Sequence, residues 1–286
     1  MGEPHDAEDL RIGFSSCPND TFMFDALVHQ RISPVPPVRV VMADIEALNR
    51  RALEQAEPLP VTKLSVAAAG RLLDRYSILD AGAALGRGCG PLVVAPKGSG
   101  RTSIDDLAGA RVAIPGEGTT AYLLLRIFAP ADLQPVPMRF DQIMPAVAAG
   151  HCDAGLIIHE SRFTYPEFGL VQLADLGTLW EDDTGLPLPL GVIAAARELS
   201  EERVRTFERA IRASVEYAWK HPRDSADYVR EHAQEMDPTV CQRHIDLYVN
   251  PFSATLGDEG RKAIEMLFER GRKVGLLPQT VVSPFR

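Results

Sequence analysis

Leu186-Pro-Leu-Pro-Leu-Gly191-Val-Ile-Ala-Ala195 restricts what this chain can become more than any other segment. Each of its prolines fixes φ and removes a backbone N–H, so no helix runs through it. It reads as extended chain crossing from one folded unit to another. Before it, short apolar runs alternate with helix-patterned stretches. After Ala196 only helical patterns remain, over 200–220, 222–234, 238–249 and 258–274. Ser200 and Asp237-Pro238 supply starts for them, and Gly275 supplies a stop.

The region before the crossover divides into two α/β units. In the first, Leu10–Ser15 and Val38–Met42 read as strands around a helix that carries Phe22 and Phe24, with Asn19 or Asp20 placed to cap it. Ile45–Leu53 is helical, Val61–Ser65 opens a short element leading into Val66–Leu73, and Tyr76–Leu79 is a strand. Gly86-Arg-Gly88-Cys-Gly90-Pro91 leads into a β-branched run, whereas a dinucleotide loop must open a helix, so that function is rejected. The second unit begins near Pro96. It holds a capped turn at Ser103–Gly109, a strand at Arg111–Pro115, helices at Ala121–Phe128 and Gln142–Ala149, and strands ending at His159 and Leu173. Two α/β units, two crossovers and a helical tail predict an α/β, two-lobed fold of the type II periplasmic-binding-protein kind. Residues 1–95 and 191–286 are expected to form lobe I, with the C-terminal helices packing back on it. Residues 96–190 form lobe II, and a substrate cleft lies between them.

The chain has 286 residues, 24% of them charged, and a net charge of −9, which disfavours nucleic acid and anionic membrane surfaces as partners. A small anionic molecule remains open as a partner, as does an oligomer. The acidic N-terminus lacks the cationic and apolar regions of a secretion leader, so a cytoplasmic location is expected. Cys17, Cys89, Cys152 and Cys241 form no CxxC pair, and the seven histidines show no HxxxH spacing, so neither a disulfide frame nor a metal is expected.

Chemistry concentrates in a few places. The apolar run Gly155-Leu-Ile-Ile158 stops at His159, flanked by Glu160 and Arg162. Strand ends open into the ligand crevice of such sheets, and imidazole titrates near neutrality, which suits a general base. A histidine that merely hydrogen-bonds a strand end fits the same pattern. Glu160 either orients that imidazole or pairs with Arg162. Gly116-Glu-Gly118-Thr119-Thr120 precedes a helix, where free N–H groups and two hydroxyls favour a carboxylate, although Thr119 could simply cap its helix. Lys63 either snorkels to solvent or meets that anion. Cys17 at a helix start could be an activated thiol nucleophile.

Taken together, Cys17-Pro-Asn-Asp20-Thr-Phe22, Thr62-Lys-Leu-Ser65, Gly118-Thr-Thr-Ala-Tyr122, Ile157-Ile-His159-Glu-Ser-Arg-Phe-Thr-Tyr165 and Gly185-Leu-Pro-Leu-Pro-Leu-Gly191 closely resemble the 1,4-dihydroxy-6-naphthoate synthases. The resemblance runs from about residue 10 to about residue 253. It implies a cytoplasmic carbon–carbon lyase of the futalosine route to menaquinone, working without a cofactor. Such an enzyme fragments cyclic dehypoxanthinyl futalosine to 1,4-dihydroxy-6-naphthoate and dihydroxyacetone. Carried over by motif, His159 is the proton acceptor, and Lys63, Leu64, Ser65, Thr119 and Thr120 bind substrate, with Asn19 and Asp20 bordering it. The rival reading is a non-catalytic carboxylate-binding protein of the same fold.

Overall fold

A computed structural model describes residues 9–234, 237–279 and 282–286. The residues before Asp9, on which the leaderless reading rests, lie outside this range. The first sheet contains β1 (Leu10–Phe14), β2 (Val38–Met42), β3 (Val61–Ser65), β4 (Tyr76–Ile78) and β5 (Ala84–Gly86). The second contains β6 (Leu92–Pro96), β7 (Arg111–Ile114), β8 (Gln134–Pro137), β9 (Ala154–Ile157) and β10 (Leu170–Asp175). The crossover segment becomes β11 (Leu188–Ala196), which returns to the first sheet and lies antiparallel between β3 and β4. The order is therefore β2-β1-β3-β11-β4 in one sheet, with β5 also paired to β11, and β10-β6-β9-β7-β8 in the other. The sheet changes fall at residues 87–91 and 185–187, earlier than the expected boundaries at 95 and 190, because β6 pairs with β9 and β10.

Helices connect and cover these strands. In the first half they are α1 (Pro18–Val28), α2 (Ile45–Leu53), α3 (Val66–Gly70), α4 (Thr120–Phe128), α5 (Phe140–Ala148), α6 (Ser161–Thr164) and α7 (Leu176–Thr184). The tail supplies α8 (Glu201–Lys220), α9 (Ala226–His232), α10 (Pro238–Tyr248), α11 (Pro251–Ala254) and α12 (Gly257–Lys273). α8 shows why the tail returns to the first sheet. Ser200 accepts from the Arg203 N–H at 3.3 Å, and Val204, Phe207, Ile211, Val215 and Ala218 form one buried stripe. Fully burying each large member of such a stripe stabilises by roughly 1.5–3 kcal/mol. Ser214 lies in the same face, taking the Leu27 N–H at 3.0 Å and donating to the Met23 carbonyl at 2.6 Å, which ties α1 to α8.

Several expectations change. The helix expected over 222–234 is confined to α9, because Pro222–Ser225 form turns. α7 was not foreseen from its Gly, Thr and Asp content. Asp175 caps it through the Gly177 and Thr178 N–H groups, and Trp180 fastens it by donating to the Pro187 carbonyl at 3.1 Å. One apolar cluster includes Leu64 and Val192 of the first sheet and Val93, Val112 and Leu156 of the second, so the lobes share a core.

Candidate functional site

The carboxyl ends of the parallel strands β1, β3, β7 and β9 converge on a cleft between the sheets, as expected for ligand crevices in such folds. The cleft holds about 640 Å³ including its open mouth. Ile45, Ala84, Pro91, Ile158 and Leu190 give it apolar walls, while Asn19, Lys63, Ser65, Thr120, His159 and His244 face it with polar groups. This lining brings together every residue singled out as a substrate contact except Leu64. Strand alternation turns Leu64 into the shared core at 0% exposure, away from the cleft lining.

The polar side of lobe I is a closed network. Asp20 accepts from the Ser15 N–H at 3.1 Å and hydroxyl at 2.7 Å, from Asn19 Nδ2 at 3.0 Å and from Lys63 Nζ at 2.6 Å. Asn19 and Asp20 therefore sit inside α1 rather than capping it; Cys17 is the N-cap residue and makes no side-chain cap bond. Lys63 is only 3% exposed and lines the cleft, so the solvent-facing half of its sequence reading fails while the cleft-facing half does not. It does not snorkel to solvent, and its charge is already matched by Asp20. Ser65 accepts from Asn49 Nδ2 at 2.9 Å, while its own O–H has no acceptor among the described residues.

Lobe II supplies an anion-ready helix start, though not through its hydroxyls. Thr119 donates to the Gly116 carbonyl at 2.7 Å and accepts from the Tyr122 N–H at 3.2 Å, capping α4. Thr120 donates to the Leu190 carbonyl at 2.7 Å and accepts from the Ala67 N–H at 3.2 Å, stitching the lobes together. Both hydroxyl hydrogens are thus committed. The Thr120 and Ala121 amides have no acceptor among the described residues and lie at the positive end of α4. The preceding turn is already occupied. Glu46 reaches across from α2 and accepts from the Gly118 N–H at 3.2 Å, and burial raises its carboxyl above the usual range. Gly116 is required here: its φ is +136°, and a Cβ would fall 2.2 Å from the Glu46 Cδ.

β9 ends at Ile157, two residues earlier than expected, and His159 turns back into the cleft with φ +58°. Non-glycine residues there are uncommon, though histidine is among those that adopt it most readily, and Gln30, Gln55 and Glu57 share this backbone conformation. Phe140 meets the imidazole edge-on at 5.0 Å between ring centroids, and His244 stacks against it at 6.0 Å. The Cys17 sulfur lies 3.5 Å from Nδ1 and 4.0 Å from Nε2. Burial holds His159 below its ordinary pKa, against the opposing pull of Glu160, Asp20 and Asp44, so the ring is neutral at neutral pH. The same burial, reinforced by Glu160 and Asp20, pushes the Cys17 thiol up rather than down. A thiolate nucleophile is therefore excluded: the carboxylates and desolvation outweigh the helix start.

The expected alternative of a Glu160–Arg162 pair is not formed. Arg162 binds Asp175 at 3.1 Å and the Gly90 carbonyl, while Glu160 faces His244, with Oε2 3.8 Å from Nδ1. His244 Nε2 lies 3.0 Å from Asn19 Oδ1 and donates to it. Because Asn19 Nδ2 already donates to Asp20, Oδ1 must accept, which puts a proton on His244 Nε2. Burial, His159 and Lys63 together hold His244 well below its ordinary value. Sequence reading missed His244, although a histidine on the apolar stripe of Cys241, Ile245 and Tyr248 was a usable signal.

Comparison with known proteins gives this geometry a family. Residues 10–273 match a family described as "Menaquinone biosynthesis". A Thermus thermophilus 1,4-dihydroxy-6-naphthoate synthase is 53% identical, over 94% of this chain and 96% of its own length. One from Streptomyces coelicolor is 50% identical, over 95% of this chain and 96% of its own. An Archaeoglobus fulgidus crystal structure superposes with a TM-score of 0.88 at 37% identity, covering 96% of this chain and 100% of that one. The Xanthomonas axonopodis alkanesulfonate-binding protein SsuA, at 18% identity, shares the fold with a TM-score of 0.71, over 99% and 98% of the two chains. Two α/β lobes around a cleft, of the periplasmic-binding-protein kind, are thus the architecture, and the chain belongs to the menaquinone-biosynthesis family of 1,4-dihydroxy-6-naphthoate synthases.

Proposed function

We propose that this protein is a lyase that fragments cyclic dehypoxanthinyl futalosine into 1,4-dihydroxy-6-naphthoate and dihydroxyacetone, with His159 as the general base. One observation carries the reading: a neutral histidine and an open helix start meet in one apolar-lined cleft. The substrate's aromatic carboxylate fits the Thr120 and Ala121 amides, where the helix dipole favours an anion. Its ring system suits the walls formed by Ile158, Leu190 and Pro91. The free Ser65 O–H is a further donor for the substrate, with Lys63 and Asp20 holding the floor on which it sits.

Proton abstraction by unprotonated imidazole starts the C–C cleavage, and aromatisation of the new ring supplies driving force. A base matched to its working pH contributes about 10²–10⁴-fold. Enclosure between the lobes excludes water from the reacting atoms. On this reading the partner is the small anionic substrate alone, and the protein works in the cytoplasm as a biosynthetic enzyme.

The test is incubation of purified protein with the cyclic futalosine derivative and mass spectrometry for dihydroxynaphthoate. Release of the naphthoate is expected. Tight binding without turnover would favour the carboxylate-binding alternative and overturn the lyase reading. His159→Asn, which tolerates the left-handed backbone, should abolish turnover while keeping the fold.

A further inference from the structure

We infer that Glu160 is a positioning residue whose uncompensated charge supports the imidazolium formed when His159 takes the substrate's proton. The inference rests on the lyase reading above and gives a task to a side chain which that reading left idle. Glu160 follows His159 directly in the chain and is only 9% exposed. Its Oε2 is buried without a hydrogen-bond partner, and the side chain makes no cap bond to α6. A charge taken out of water is normally paired or held by several donors, so a carboxylate left bare is costly.

Among the described residues, the nearby groups that could neutralise it are committed elsewhere. Arg162 is bound to Asp175 and the Gly90 carbonyl, and Lys63 to Asp20. The Arg243 guanidinium lies over the Phe163 ring, 4.3 Å from its centroid. His244 comes close, but its Nε2–H is used on Asn19, so Nδ1 turns a lone pair toward Oε2 across 3.8 Å. Two acceptors therefore face each other. Burial, His159 and Lys63 all oppose a second proton on the His244 ring. The side chain in this cluster still able to become a counter-ion for Glu160 is His159.

His159 stacks on the same His244 ring, at 6.0 Å between centroids, which sets the carboxylate beside the base and outside the cleft lining. Around His159, Glu160, Asp20 and Asp44 favour added positive charge, and Lys63 opposes it. Asp20 is already matched by Lys63, and Asp44 accepts from the Ala47 N–H at 2.9 Å as the cap of α2, which leaves Glu160 as the unshared charge among them. In the proton-transfer step the substrate C–H bond breaks, its electron pair stays on the substrate, and the proton goes to an imidazole nitrogen. The base becomes a cation in a desolvated site, and a fixed anion beside it lowers that cost without any reorganisation.

The experiment compares wild type, Glu160→Gln and Glu160→Asp by steady-state kinetics on the cyclic futalosine derivative across pH, with urea unfolding of each protein. Glu160→Gln should lower plateau kcat by about tenfold, less than the roughly 10²–10³ lost with a donor that touches the reacting charge, with KM within about twofold. Removing the anion also lowers the pKa of His159, so the acid limb of kcat/KM should move to lower pH. Glu160→Asp keeps the charge and should retain most of kcat. Because Gln discards an uncompensated buried charge, that variant should be at least as stable as wild type. Wild-type kcat with an unmoved acid limb in Glu160→Gln, an equal loss of kcat in both variants, or a clearly lower urea midpoint for Glu160→Gln would each overturn the inference. NMR titration of ¹⁵N-histidine-labelled protein, with His159→Asn assigning the signal, should show the same fall in the His159 pKa without turnover. Failure of the lyase reading is thus visible separately, as a wild type that releases no naphthoate.

Discussion

Replacing Lys63 with methionine separates two roles the residue could have had, support of Asp20 or direct capture of the substrate anion. Lys63 Nζ lies 2.6 Å from Asp20 Oδ1, and both side chains are almost wholly buried. Removing one partner of such a pair strands the other charge and typically costs 3–5 kcal/mol. Asp20 would still hold three donors, the Ser15 N–H and O–H and Asn19 Nδ2. The loss should therefore fall near the lower end, about 3 kcal/mol. Asp20→Asn alone strands the ammonium with little more than the distant Gly82 carbonyl at 3.4 Å, so it should cost at least as much. The double variant leaves no buried charge unpaired and should lose less than the sum of the single losses. A coupling of about 2 kcal/mol is expected, within the range for residues in direct contact. Equilibrium urea unfolding of the four proteins gives the cycle. If Lys63→Met unfolds within about 1 kcal/mol of wild type while its KM alone rises, lysine serves the substrate rather than Asp20, and the electrostatic account of the cleft floor is wrong.

Three further outcomes follow from the geometry. Thr119→Ala removes the cap of α4 and should cost about 1 kcal/mol in urea unfolding; an unchanged midpoint would mean that the Tyr122 N–H finds another acceptor. Gly116→Ala forces a Cβ into the Glu46 carboxylate at a positive φ and should destabilise by about 1–3 kcal/mol, with relief when combined with Glu46→Ala; no loss would refute the tight fit. Because burial depresses His159, protonation of the folded protein is delayed relative to an exposed histidine, so kcat/KM should hold its plateau below about pH 6.5 before an acid limb appears. A limb at or above that pH would contradict a desolvated base.

Much of this architecture was legible because it is written in periodicity and punctuation. The prolines of 186–190 excluded a helix, and the stripe of Val204, Phe207, Ile211 and Val215 announced α8. The family motifs brought His159, Ser65 and Thr120 to one cleft. What could not be read was pairing. Nothing local in the chain says that Lys63 meets Asp20, that Glu160 turns to His244 instead of Arg162, or that Glu46 fills the Gly116–Gly118 turn. Those contacts join residues far apart in sequence, and they decide which hydroxyls and amides remain available. The Cys17 thiol shows the same limit: the helix start and Asp20 are visible in sequence, but the burial that pushes the thiol up and the approach of Glu160 are not. α7 escaped because its stability comes from Trp180 and the Asp175 cap rather than from its own propensities.

The position of β11 between β3 and β4 has a consequence for how the chain is made. The strands on either side of it are complete by residue 78, yet the strand that joins them begins at residue 188. While the intervening hundred or so residues emerge from the ribosome, β3 and β4 present unsatisfied edges that pair readily with other chains. Synthesis at about 5–20 residues per second leaves that interval open for several seconds. A chain stopped after α7 would keep those edges for good. The nascent first lobe is thus dependent on the second being made, and a chaperone or a fast-translated middle segment would shorten its exposure.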